Sequence, residues 1–166
     1  LTTYNVTTND AALCTGDSST IDLSGSQDGV SYQLKKDGVN ESAPIIGTGS
    51  AISFTGVTAA GTYTVEASSC SNTLTMTGSV AITTTATPTQ YSISADNDAL
   101  CSTEQATITV ANSESGVSYQ LLLGGSAVSG SVVQGTGSAV NFTGVTAAGT
   151  YTVEATKNSC SATMTS

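Results

Sequence analysis

Residues 54–67 read FTGVTAAGTYTVEA, and residues 142–155 read the same fourteen residues again. Tyr63, Val65 and Ala67 alternate with the polar Thr64 and Glu66. A period of two is the mark of a strand with one face buried. Ile52 and Phe54 alternate in the same way just upstream. Between the two runs stand Gly56 and Gly61, which admit the positive φ that a tight turn requires. The segment therefore reads as strand end, corner and strand start. Written twice, it announces a β-protein that has been duplicated.

The duplication extends well beyond the opening segment. Shifted by 87 or 88 positions, the chain aligns with itself nearly end to end. Tyr4 meets Tyr91, and Leu13-Cys14 meets Leu100-Cys101. Val30-Ser31-Tyr32-Gln33-Leu34 meets Val117-Ser118-Tyr119-Gln120-Leu121, and Gly47-Thr48-Gly49-Ser50-Ala51 meets Gly135-Thr136-Gly137-Ser138-Ala139. Cys70 meets Cys160 after a two-residue insertion. Two copies of one domain follow, at residues 1–87 and 88–166. Threonines and one proline at 83–90 predict an extended, stiff joint rather than a Gly/Ser tether.

Only 9% of the residues are charged. Thr, Ser and Gly replace the helix-favouring Glu, Lys, Arg and Leu. Ile21 and Leu23 bracket Asp22, and Val30, Tyr32 and Leu34 share a face. Turn-rich breaks at 24–29 and 37–42 separate the runs. About seven short strands per copy at this spacing predict a two-sheet sandwich of immunoglobulin type, with a barrel as the alternative. Tyr63, placed just after a corner, resembles the tyrosine corner of such domains. The fold class expected is all-β: two tandem immunoglobulin-like β-sandwich domains.

The formal net charge is −9, with three Lys, no Arg and no His. Nucleic-acid binding needs a basic footprint, so it is excluded, and an anionic membrane surface would repel the chain. No apolar run has the length of a membrane span, so direct membrane insertion is not expected. A signal peptide is expected to lie outside these residues. Without His, general acid–base or Ser-His chemistry has no base, and Glu66 and Glu154 recur simply as outward strand residues. No catalytic residue is assigned. There is no Trp, and the six tyrosines and both phenylalanines form repeat-equivalent pairs, which leaves no copy-specific aromatic platform for sugar.

The four cysteines, Cys14, Cys70, Cys101 and Cys160, include no C-x-x-C, and with no His they do not suit zinc. They predict disulfides and an oxidising, extracytoplasmic setting. Because each copy carries its own pair, Cys14–Cys70 and Cys101–Cys160 are expected. In strict immunoglobulin topology, however, these positions fall near opposite ends of a domain, and Cys14 could instead reach Cys160 of the neighbouring copy.

Three further features are candidates for function. Asp96-Asn97-Asp98 and its counterpart Asn9-Asp10 cluster oxygens that could hold Ca²⁺, although a solvated Asx turn explains them as well. No other cofactor is expected. Lys35-Lys36 becomes Leu122-Leu123, which makes Leu122 an outward-pointing candidate contact. The final strand of the first copy runs through 72–85, but its counterpart stops at Ser166, so the second copy reads as cut partway along its last strand. A piece of a longer array would explain this, and so would an edge covered by another subunit.

The combination of GVSYQL, GTGSA and AAGTYTVEA with a late C-S-A-T-M resembles the immunoglobulin-like repeats of large secreted and cell-surface proteins of Bacteroidetes, including gliding-motility adhesins. The resemblance covers both copies. It implies export, tandem arrays and a role in surface adhesion or spacing, and it brings no catalytic residues. The function expected is a non-enzymatic extracellular module of an adhesin stalk or fibre, with neighbouring copies as partners. The alternatives are a ligand-binding adhesin domain, taking a surface glycan or protein at the joint or at loops 37–44 and 124–133, and a filament subunit joined through strand edges.

Overall fold

The computed structural model describes residues 1–70 and 72–166. The chain divides into two compact units, Leu1–Thr85 and Ala86–Ser166.

Unit 1 opens with β1 (Val6–Thr8), β2 (Ala12–Cys14), β3 (Ser19–Leu23) and β4 (Ser31–Lys36). The short β5 (Val39–Asn40) and β6 (Ile45–Ile46) follow, then β7 (Ile52–Val57), β8 (Gly61–Ser69), β9 (Asn72–Thr75) and β10 (Val80–Thr85). One sheet has the order β1-β3-β7. The other has the order β2-β10-β8-β4-β5, with β6 also on β4 and β9 also on β8. The alternation read from the sequence is the packing rule. Ile21, Leu23, Tyr32, Leu34, Phe54, Tyr63, Val65 and Ala67 are all buried and form one core with Ile52, Met76 and Ile82.

The edge of β8 is shared between two partners. β9 pairs antiparallel with Glu66–Ser69, and β10 pairs antiparallel with Gly61–Tyr63. Between them the chain swerves at Met76–Gly78. The Met76 N–H donates to the Val65 carbonyl, and the Thr77 N–H donates to the Tyr4 carbonyl. β10 then lies parallel to β2, with Thr83 opposite Ala12 and Thr85 opposite Cys14.

Unit 2 comprises β11 (Ile93–Ala95), β12 (Ala106–Val110), β13 (Ser118–Leu123), β14 (Ser126–Gln134), β15 (Val140–Val145), β16 (Tyr151–Lys157) and β17 (Cys160–Met164). Its sheets have the orders β11-β12-β15 and β14-β13-β16-β17. Ile108, Val110, Tyr119, Leu121, Phe142, Val153 and Met164 fill its core.

The units differ most where their sequences do. Residues 124–133, expected to be a loop, form a hairpin instead. Gly124 and Gly125 turn with φ of 56° and 82°, and β14 runs back along β13. In unit 1 the matching return is broken into β5 and β6 around Pro44, which has no N–H to give to the ladder.

Candidate functional site

Both copies spend their shared motifs on the same internal bonds. The Tyr63 hydroxyl donates to the Ala59 carbonyl at 2.9 Å, and the Tyr151 hydroxyl donates to the Ala147 carbonyl at 2.8 Å. These are the tyrosine corners expected from the repeated segment. The buried Tyr32 accepts the Gln27 N–H at 2.8 Å, as Tyr119 accepts the Glu114 N–H at 2.9 Å. Its ring closes over Gly47, where an added Cβ would lie 2.2 Å from the Gln27 carbonyl oxygen and 2.9 Å from the Tyr32 ring. Gly135 is confined in the same way by Glu114 and Tyr119. Ser26 and Ser113 donate to the carbonyls of Ser50 and Ser138, respectively. Within these motifs the tyrosines and the confined glycines, together with the two serines, are thus scaffold.

The cysteines occupy the poles of the units. In unit 1 Cys14 lies beside Thr85, beyond the Gly61 end of β8, whereas Cys70 follows Ser69 at the other end with φ of 53°. The nine residues of β8 separate those poles by about 30 Å at the usual rise per residue of a strand. A disulfide requires Cα atoms within about 7 Å. In unit 2 Cys101 lines the same cavity as corner residues Thr146 to Thr150, while Cys160 opens β17 opposite Lys157 at the far end of β16. Cys14 and Cys160 are disulfide-bonded, and Cys70 and Cys101 carry exposed free thiols. The expected pairing within each copy, Cys14 with Cys70 and Cys101 with Cys160, is therefore not formed. Strand length forbids it.

The oxygen-rich segments are turns. Asn9 Oδ1 accepts the Thr20 N–H and the Ser19 hydroxyl, and Asp10 Oδ1 accepts the Ala12 N–H. Asp96 Oδ1 accepts the Thr107 N–H at 2.7 Å, and this bond holds its carboxyl below the usual range. Asn97 Oδ1 accepts the Ala99 N–H two residues on, an Asx turn. Among the described residues no three His, Cys, Asp or Glu side chains are grouped as a metal would need.

Leu122 is half-buried between Ala127 and Thr152, outside the core cluster. Its counterpart Lys35 sits 2.8 Å from Glu66, so the change to leucine leaves Glu154 without that ammonium.

A cavity of about 450 Å³ opens in unit 2, walled by Ile93, Leu100, Ile108, Val145 and Tyr151. In unit 1 the corresponding space holds β10, whose Val80 lies opposite Tyr63. In unit 2 β17 pairs only from Val153 onward, so Tyr151 has no ladder partner on that side among the described residues. Sequence reasoning did not find this cavity, because it is shaped by residues distant in sequence.

This geometry has known counterparts. Residues 86–166 match the family model described as Ig-like domain CHU_C associated. That supports an immunoglobulin-like domain of the type found in Bacteroidetes proteins. No curated protein matches the chain in sequence. Among solved structures, the chain is similar to the crystal structure of the mouse coronavirus receptor-binding domain complexed with its murine receptor. That match has 12% identity and a TM-score of 0.58, and covers 97% of this chain and 96% of that one. The crystal structure of murine CEACAM1b matches with 13% identity and a TM-score of 0.54, over 97% and 96% of the two chains. At such identities the likeness concerns the fold: an all-β, immunoglobulin-like sandwich.

Proposed function

We propose that the chain is a non-enzymatic structural module of an extracellular adhesin stalk or fibre, in which repeated units add length and neighbouring copies are the partners. The observation that carries this reading is where the shared residues point. Tyr63, Tyr32, Gly47 and Ser26, with their counterparts in unit 2, are held by internal bonds and contacts. The disulfide-bonded Cys14 and Cys160 suit an oxidising, extracellular setting. No described helix is long and apolar enough to cross a membrane.

The test is binding of the purified chain to glycan and surface-protein arrays. No saturable signal is the expected result. Saturable binding to one ligand class, lost when the turns at 37–44 or the 124–133 hairpin are altered, would favour the ligand-binding alternative.

A further inference from the structure

β14 forms the edge of its sheet, and the direction of its backbone groups follows from one bond. The Gly135 N–H donates to the Val117 carbonyl at 2.8 Å. In an antiparallel ladder, pairs that exchange bonds alternate with pairs that do not. Tyr119 and Val133 are therefore a bonded pair, whereas Ser118 with Gln134 and Gln120 with Val132 are not. The N–H and C=O of Val132 and Gln134 thus point away from β13, toward the open edge. No described strand pairs with β14 on that side. The Val132 side chain stands on the outer face and is 54% exposed.

Unit 1 closes the same position. Its Gly47 N–H donates to the Val30 carbonyl at 2.7 Å, and Ser31 and Tyr32 lie opposite Ile46 and Ile45. The next residue in that register is Pro44, the equivalent of Val132. Proline brings no N–H to the edge. The remainder of that edge is broken into β5 and β6, two residues each, with the charged Asp37 and Glu41 beside them. Short strands, proline and charge are the usual devices that keep an edge from pairing. β14 has none of them. It runs for nine residues, SAVSGSVVQ, with no charge and no proline. Beside it lies a groove of about 410 Å³, lined by Val128, Val133 and Phe142.

We propose that unit 2 pairs edge to edge with a second copy of this chain, β14 antiparallel to β14, about a two-fold axis at Val132. The partner is a second copy because this edge complements itself. With Val132 opposite Val132, the outward N–H of each meets the outward C=O of the other. The two exposed valines then cover one another as a cross-strand pair on the outer face. The chain carries a net charge of −9, yet β14 sets no like charges in opposition. Edge addition of this kind draws on main-chain bonds and needs no side-chain pocket. The contact is lateral and goes beyond the reading of the chain as a spacer.

The test is sedimentation of the full chain over a concentration series, with the Cys70 and Cys101 thiols capped by iodoacetamide so that no new disulfide contributes. A strand-to-strand contact is small, so the dimer is expected to form with a Kd between about 10 μM and 1 mM. On the same samples, amide exchange at Val132 should slow several-fold as concentration rises, while Val133, already bonded to Tyr119, should change little. Val132→Pro copies unit 1 and removes only an outward N–H, so β14 keeps its bonds to β13. It should weaken dimerisation by about tenfold or more with an unchanged thermal melt. Val132→Lys keeps the N–H but sets two like charges opposite each other, and should weaken the dimer as well. If the proline variant unfolds, the lysine variant decides. A chain that stays monomeric up to about 1 mM would overturn the proposal. So would a dimer that the folded variants leave intact, or one that forms without protecting the Val132 amide.

Discussion

Tyr63 shows what one hydroxyl contributes. Its ring is fully buried, and its oxygen reaches the Ala59 carbonyl four residues back, which fixes the corner between β7 and β8. Tyr63→Phe keeps the ring and leaves that carbonyl to find water. It should cost about 1–2 kcal/mol, seen as a lower denaturant midpoint with an unchanged slope. Gly47 is a sterner case. Any side chain there meets the Gln27 carbonyl oxygen and the Tyr32 ring. Gly47→Ala should destabilise unit 1 by about 3 kcal/mol or more, because the obstacle is backbone rather than a yielding side-chain end. Glycine and tyrosine stand out in the sequence, but which pairs touch does not, since Gly47 and Tyr32 come together only when β4 and the residues before β7 are folded.

At the scale of elements, alternation located the strands well. Ile21/Leu23, Tyr32/Leu34 and Tyr63/Val65/Ala67 face inward as their spacing requires, because a strand has only two faces. Alternation says nothing of what lies alongside. The parallel partnership of β2 and β10, the shared edge of β8 and the conversion of 124–133 into β14 all depend on residues far apart in the chain or on a Gly-Gly turn. The cysteine pairing was misjudged for the same reason: counting pairs per copy ignores the length of the strand between them. The oxygen-rich turns give a direct prediction. Asn9, Asp10, Asp96 and Asn97 already accept backbone N–H groups, so a thermal melt in millimolar Ca²⁺ should match one in EDTA. A rise of several degrees in Ca²⁺ would show instead that these oxygens are recruited by the metal.

For the whole molecule, the ionisable groups bracket a range of pH in which stability is level. Tyr63 is shifted up by burial first, then by the charges of Glu41 and Asp37, and Tyr119 is shifted up mainly by burial. An acid whose folded pKa is raised contributes stability that is complete below its ordinary value of 10.0 and is lost as pH rises through the folded value. Glu114 is shifted down by its bonds from Thr89, and Asp96 by its bond from Thr107. Their contribution is present above the ordinary carboxylate range and is lost as pH falls through the folded values. Urea midpoints should therefore stay flat through neutrality and fall at both extremes. Glu114→Gln should soften the acid limb alone, and an unchanged acid limb in that variant would remove Glu114 from the account.

Unit 1 also holds an early strand, β2, and its last strand, β10, side by side and pointing the same way. β2 runs parallel to β10, and nearer the start of the chain Asn5 bridges Thr77 in parallel while the Val6 N–H donates to the Thr77 carbonyl. A pull applied at the two ends of this unit would drag these neighbours past each other along their length. Their bonds would be loaded in shear and would have to yield together, whereas bonds at the open end of a hairpin peel away one at a time. The arrangement makes the unit a latch against tension, set by strand direction rather than by the strength of any single bond.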